Sequence, residues 1–408
     1  MVASLIPPSA CPVRLADIRE AWRSGKESAD SIERFCSVLA SRTGKPHAFA
    51  FNQARTALAI LLQELHRLRS ERFEVIVPAY TCYTVAAAVA RAGLVMVPVD
   101  IEPSDLCFKL QALQDSINER TLAIIVVHPF GQPCSIGAVK GVISNRHIFI
   151  VEDCAQAWDT RYRGHFLGGE GDASIFSFGR GKHLNLGGGG ICCVGEGEIA
   201  YRLEQRMREL PAPSQREHVR RLLKLVFTII GQHPYIYAYA LRVPFLGIGE
   251  TYFDDDFAMI QWSGWQAQLG LRLLRDWESM ASRRRRNADF WREWLQRDSV
   301  LGIIPQVEEP MNVVYLRMPV LSRDRQRAMR WFRKRGIHAQ KMYPTVLADI
   351  DSPHLKVKVY STLDGARRVT ESLYTLPVHP LFDAKRWAAR CSRRRCSKEE
   401  MLGANTIP

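Results

Sequence analysis

Two residues of complementary chemistry stand in one stretch, VEDCAQAWDTRYRGHFLGGEGDASIFSFGRGKHLNLGGGG, from Val151 to Gly190. Asp153 ends the apolar run IFIVED, so its carboxylate is expected to emerge at the end of a strand. A second apolar run, ASIFSF, leads into a turn with glycines at 179 and 181, and Lys182 sits in that turn. An amine held there can add to a carbonyl carbon. A carboxylate on the neighbouring strand can keep a pyridine nitrogen protonated, so that an aromatic ring draws in electrons. A pyridoxal phosphate (PLP) site needs that pair, with Lys182 forming the Schiff base and Asp153 facing the ring nitrogen. Ser177 can donate to a phosphate, and the glycines let backbone amides approach it closely. Singly these signals are weak. A lysine after glycine is usually a surface residue, an aspartate at a strand end is usually a cap, and GRGK lacks the GxxxxGK[ST] spacing of a phosphate loop because His183 follows the lysine. Their order and spacing together are specific.

The elements around this stretch are those of a layered α/β protein. From Ala48 to Ile191, AFAFN, EVIVPAY, VMVPVD, AIIVVHPF, IFIVED and ASIFSF read as strands. Between them lie TALAILLQELHRL, TVAAAVARAG, LQALQDSI and a connector at Ile136–Arg146, most with helical spacing. Apolar strands separated by helices predict a mainly parallel sheet covered on both faces, and ligands collect at the carboxyl ends of such strands. Residues 1–40 read as a helical arm and 41–275 as a large domain. Residues 276–390 read as a smaller C-terminal α/β domain and 391–408 as a basic tail. The segment LLKLVFTIIGQHPYIYAYALRVPFLGIG is an apolar insertion at about 220–250, broken by Gly231, Pro234 and Pro244. It is expected to be a buried helical hairpin or a subunit-interface element. A lid or an interfacial membrane patch is a lesser alternative. Trp262, Trp265 and Trp277 are expected in the core or at a dimer contact.

The chain has 408 residues, 47% hydrophobic and 24% charged, which suits an ordinary globular protein of two domains. No run approaches the roughly 20 apolar residues that cross a bilayer. The start lacks a basic segment followed by a long apolar run, so a cytoplasmic protein is expected. The ten cysteines show no scaffold spacing, and reduced, packed thiols are expected, with no metal site. The net charge of +14 gathers in Arg283–Arg286, Arg333–Arg335 and Arg393–Arg395. No nucleic-acid-binding motif accompanies these clusters, and solvated helix faces are the expectation, with steering of an anionic substrate as an alternative.

These motifs resemble the DegT/DnrJ/StrS family of PLP-dependent sugar aminotransferases, of PLP fold type I, from about Ala48 to the LPVHP segment near Pro380. In VEDCAQAW the resemblance gives Asp153 the pyridine nitrogen and puts Gln156 near the cofactor's phenolic oxygen. In FSFGRGKHLNLGGGG it gives Ser177 the phosphate and Lys182 the internal Schiff base. In FNQARTALAILL it places the amides of Ala54 and Arg55 at the phosphate. The family's stacking aromatic is replaced by Cys82, with Tyr80 or Tyr83 as possible stand-ins, and its loop glutamate by Gly188. Met259 and Gln261 stand where an Asn and an Arg would be, the Asn being the residue that reaches the neighbouring subunit's phosphate. Arg180 or Arg55 is then a candidate replacement charge. His128, Tyr83 and Tyr343 are candidates for substrate contact.

The resemblance implies transfer of an amino group from glutamate or glutamine to a keto sugar, as an anionic sugar nucleotide, in a homodimer with a shared site. Two alternatives stay open: elimination, decarboxylation or carbon–carbon bond formation on the same cofactor, and a non-catalytic basic regulator. Relatives that dehydrate sugars carry histidine in place of the lysine, and here Lys182 is present with His183 beside it.

Overall fold

The computed structural model describes residues 4–25, 29–144, 147–243, 252–297, 301–305 and 312–393. The basic run at 394–395, Cys396, Pro244 and the end of the apolar insertion lie outside them. The N-terminal part contains α1 (Leu15–Gly25), α2 (Ala29–Thr43), β1 (His47–Phe51), α3 (Ala54–Leu68), β2 (Glu74–Pro78), α4 (Tyr83–Arg91) and β3 (Val95–Val99). It continues with α5 (Leu110–Ser116), β4 (Thr121–Val127), α6 (Ile136–Ile143), β5 (Phe149–Asp153), the small hairpin β6 (Arg161–Tyr162) and β7 (His165–Phe166), then β8 (Ala173–Ser177) and β9 (Gly190–Val194). All six segments expected as strands are strands. Their type follows from burial on both faces. Along β2, Val75 and Val77 join one hydrophobic cluster and Ile76 another; along β4, Ile125 and Val127 join the first while Ile124 and Val126 join the second. Successive side chains point to opposite faces, so a strand covered on both must be apolar at every position.

After β9 come α7 (Glu198–Glu209), α8 (Gln215–Gly231), α9 (Pro234–Ala240), α10 (Gly264–Arg275) and α11 (Trp277–Arg297). The C-terminal part contains β10 (Met318–Leu321), α12 (Arg325–Lys334), β11 (Lys356–Val357), α13 (Asp364–Ser372), β12 (Leu373–Leu376) and α14 (Ala384–Arg393). One eight-stranded sheet runs β1-β9-β8-β5-β4-β2-β3-β11. From β8 to β11 neighbours are parallel, and only β9 runs antiparallel, between β1 and β8. A second, two-stranded sheet pairs β10 with β12. The architecture is therefore the expected α/β fold, a mainly parallel sheet flanked by helices with a smaller C-terminal α/β unit.

Three expectations change. The insertion is helical, as α8 and α9, but of its two expected readings the buried hairpin falls and the interface element does not, because Phe227 is 70% and Tyr239 69% exposed on the single chain. Cys107 and Cys134 are joined by a disulfide rather than reduced, because the loops after β3 and β4 bring their Cα atoms to 5.5 Å. The arginine run on α11 is not wholly a solvated face, because Arg284 is 1% exposed. Its guanidinium donates to the carbonyls of Leu316 (3.2 Å), Tyr315 (3.3 Å) and Ala10 (3.2 Å), tying α11 to the N-terminal arm and to the approach to β10. Trp262, Trp265 and Trp277 are core residues, as expected. No helix among the described residues is long and apolar enough to cross a membrane.

Removing the Arg284 head leaves three carbonyls without their donor. Arg284→Met should cost about 3 kcal/mol in chemical denaturation, whereas the exposed Arg286→Ala should stay within about 0.5 kcal/mol.

Candidate active site

At the carboxyl edge of the sheet, Phe51 of β1 and Ser177 of β8 both pair with Gly190, the first residue of β9. A Cβ on Gly190 would lie 2.3 Å from Ala54 Cα, so only glycine lets the start of α3 come down beside this edge. No side chain caps α3: the Gln53 oxygen accepts from Arg55 Nε at 2.7 Å instead. The first-turn amides, Ala54 and Arg55 among them, form the positive end of a fifteen-residue helix, which is a seat for an anion. The Arg55 guanidinium is committed elsewhere, to Asp254 (2.9 Å to O, 3.0 Å to the carboxylate) and over the Phe257 ring at 4.5 Å. It is therefore not the replacement charge, and only its backbone can serve.

Gly181 has φ +79°, and this turn carries Lys182 past the end of β8 with its N–H donating to Gly179 O at 3.3 Å. Burial holds the Lys182 amine below the ordinary lysine range, while Cys82 and Asp153 press the other way. Asp153 ends β5, and its Oδ1 accepts from the Ala155 amide at 2.9 Å. Burial pushes its carboxyl up, opposed by that hydrogen bond, by Lys182 and by His128. The two groups thus act on one another, Asp153 buried and Lys182 half-buried. Beside them, Gln156 donates to the Tyr343 hydroxyl at 2.9 Å and accepts weakly from the Phe130 amide at 3.3 Å. Tyr343 is buried, and its phenol is pushed well up by burial first and then by Cys82, Tyr80 and other neighbours, Asp153 among them. Lys182, Asp153, Cys82, Gln156 and Tyr343 are therefore brought together, with Ser177 and the start of α3 at the same sheet edge.

Two expected substrate contacts are not available. His128 is fully buried, its Nδ1 accepts from the Cys134 amide at 3.0 Å, and its Nε2 faces Glu152 at 3.1 Å, so neither nitrogen is left for a substrate. Tyr83 is buried, with its hydroxyl bonded to Thr345 Oγ1 at 2.5 Å and to the Thr345 amide at 3.1 Å. His128, Glu152 and Cys154 place potential metal-ligating atoms within 4.8 Å. The Glu152 carboxylate, however, is already taken by His128 and by the amides of Gly168, Glu170 and Gly171, which makes this a structural hub. Tyr80 packs edge-on against Tyr343 with ring centres 5.1 Å apart.

Arg180 is exposed and lies near Arg317 and Lys224. Arg317 itself was missed in the sequence, although it is a lone arginine in the apolar run VVYLRMPV. Its head donates to Gln340 (3.0 Å) and Ser9 (3.0 Å), its Nε is buried without a partner, and no carboxylate pairs with it among the described residues. Its Nη2 lies 3.6 Å from where a Cβ on Gly181 would stand, next to Lys182. The departure at Gly188 is filled by α8: Arg221 Nη1 would be 3.4 Å from a Cβ there and donates to Asn52 O at 3.2 Å, while Nη2 of the same guanidinium pairs with Glu217 at 2.9 Å. Gln261 donates to Leu210 O at 2.9 Å and Met207 O at 3.3 Å, and Met259 packs on the core.

A lysine and an acid across one pocket, beside an uncapped helix start and a serine, fit a phosphorylated pyridine aldehyde, and fold and site together define the type I class of PLP-binding folds. The chain belongs to the DegT/DnrJ/EryC1/StrS aminotransferase family, whose profile matches residues 13–389. It is 30% identical over 205 residues to L-glutamine:2-deoxy-scyllo-inosose aminotransferase from Micromonospora echinospora, covering 48% of each chain. It is 31% identical over 170 residues to GDP-perosamine synthase from Escherichia coli O157:H7, covering 42% of this chain and 46% of that one. The chain spans about half the length of the curated relatives it matches. Among solved structures, the sugar aminotransferase CalS13 from Micromonospora echinospora matches over 96% of this chain and 99% of its own, with a TM-score of 0.73 at 22% identity. That likeness shows the fold.

A buried acid whose affinity for a proton is raised on folding opposes folding above its unfolded-state range, and the opposition fades as pH falls through the folded value. Cofactor-free Asp153→Asn should therefore melt at or above the wild-type temperature at neutral pH, with the gap closing in mild acid. Its PLP-loaded form should lose activity by about 100-fold or more.

Proposed function

We propose that the protein is a PLP-dependent aminotransferase that moves an amino group from glutamate or glutamine to a keto sugar carried as an anionic sugar nucleotide. The observation that carries this reading is the placement of Asp153, at the end of β5, and Lys182, in the turn after the neighbouring β8, at one carboxyl edge of the sheet, where each acts on the charge of the other. When bound, the cofactor supplies an electron sink for the charge that develops at the donor's Cα.

Each residue then has a task. Lys182 Nζ holds the cofactor between turnovers and, once displaced by the donor, takes the proton from Cα. Burial, by keeping a larger share of the amine neutral, suits both roles. The Asp153 carboxylate holds the proton on the ring nitrogen. Ser177 and the amides of Ala54 and Arg55 hold the phosphate, and Gln156, fixed by Tyr343, orients the ring's phenolic oxygen. Cys82 takes the place of a stacking aromatic ring. Arg180 and Arg317 face the anionic groups of the substrate, and Tyr343 is the remaining candidate for substrate contact. The names of the curated relatives, an L-glutamine-dependent aminotransferase and a GDP-sugar synthase, support the donor and the substrate class. His183 offers no route to sugar dehydration, because Nε2 is bonded to Val314 O at 2.9 Å and burial holds the ring well below the ordinary histidine range.

We read the chain as a helical arm at 1–40, a large domain at 41–275, a small one at 276–390 and a tail at 391–408, although β11 of the small domain's span pairs with β3 in the large sheet and α2 runs across the first boundary. We place the protein in the cytoplasm as a homodimer with a shared site. With Met259 and Gln261 in place of the family's polar pair, the partner's contribution to the phosphate is reduced, and own-chain residues carry more of it.

The test is a spectroscopic half-reaction. PLP-loaded protein should show a visible band that bleaches on adding L-glutamine or L-glutamate, and Lys182→Ala should show neither band nor bleaching. A lysine-dependent band that ignores both donors would point to a different PLP reaction.

A further inference from the structure

From His218 through Val243 the chain has no aspartate or glutamate, while Arg220, Arg221, Lys224 and Arg242 lie among leucines, isoleucines and aromatics. The fold sorts this composition. Arg221 and Leu225 turn inward, where a Cβ on Gly188 would meet Arg221 Nη1 at 3.4 Å and one on Gly187 would meet Leu225 Cβ at 3.2 Å. The opposite side of α8 exposes Val219, Leu223, Phe227 and Ile230, whose spacing of three and four residues makes one apolar stripe. Arg216, Arg220 and Lys224 are exposed along its flank. On α9, the exposed Tyr235, Ile236 and Tyr239 also share one helix face.

A stripe of this size is unusual on a free surface, and its chemistry says what covers it. A second copy would bring this chain's own excess of cations, 56 basic against 42 acidic residues, to Arg216 and Lys224, while Arg220 is already paired with Glu217 at 2.9 Å. An anionic lipid surface satisfies both halves: acyl chains take the apolar stripe, headgroups take the cations, and tyrosines sit at the boundary. The helix is too short and too charged to cross, so it would lie in the plane. We propose that α8 and α9 dock the protein on an anionic membrane surface, with the glycine-rich loop on the inner side of α8, about 10 Å from the headgroup layer. This inference stands independently of the catalytic reading.

The full-length, PLP-loaded protein should be sedimented with vesicles of phosphatidylcholine alone and of an equal mixture with phosphatidylglycerol, at low and high salt. Sedimentation with the mixed vesicles, weakened by salt and about tenfold or more by Phe227→Glu and by Lys224→Glu, is expected. Thermal melting and the visible cofactor band of both variants should match the wild type. Failure of the wild type to sediment with mixed vesicles, or sedimentation that neither variant weakens, would overturn the proposal. So would a Phe227→Glu change that only converts a larger assembly into monomers, as that would assign the stripe to a second copy.

Discussion

Burial pulls two opposite charges in opposite directions at the edge of the sheet, Asp153 up and Lys182 down, and each is held back by the other. Everything that positions the pocket serves to keep these groups close and poorly solvated. Asp153 is delivered by a strand with covered faces and Lys182 by a turn that needs the left-handed Gly181, while Tyr343, near Asp153, is held by Gln156.

The anion seat depends on a different constraint. Gly190 stands where any side chain would strike Ala54, so β9 and α3 can meet only through a glycine. That contact sets the start of α3 beside Ser177 and makes the seat a property of backbone rather than of charged side chains. Around it lie the positions at which the resemblance implies other residues. The space of the loop glutamate is met by the Arg221–Glu217 pair of α8, and the polar pair of the later loop has become Met259 and Gln261, turned toward the core and α7. The insertion is thus part of the architecture of the site as well as of its surface.

Much of this was legible in the residues alone. Strand ends can be read from apolar runs, so Asp153, Ser177 and Lys182 were found together, and the six strands fell where their runs predicted. What escaped depends on packing between distant segments. Arg284 looked solvated because its neighbours are charged, yet three carbonyls from two other segments surround it. His128 stood at a strand end like Asp153, but Glu152 and the Cys134 amide occupy both its nitrogens. The Cys107–Cys134 bond joins two loops that only the fold brings together. Arg317 did leave a sign, a single cation in an apolar run, but its nearness to Gly181 could not be read from it.

The central claim is that Lys182 is the residue that bonds the cofactor. The most direct measurement is to load the protein with PLP, reduce it with borohydride, digest it and map the modified peptide by mass spectrometry. The account predicts a single phosphopyridoxyl adduct on Lys182. An adduct on another lysine, or none at all, would contradict it.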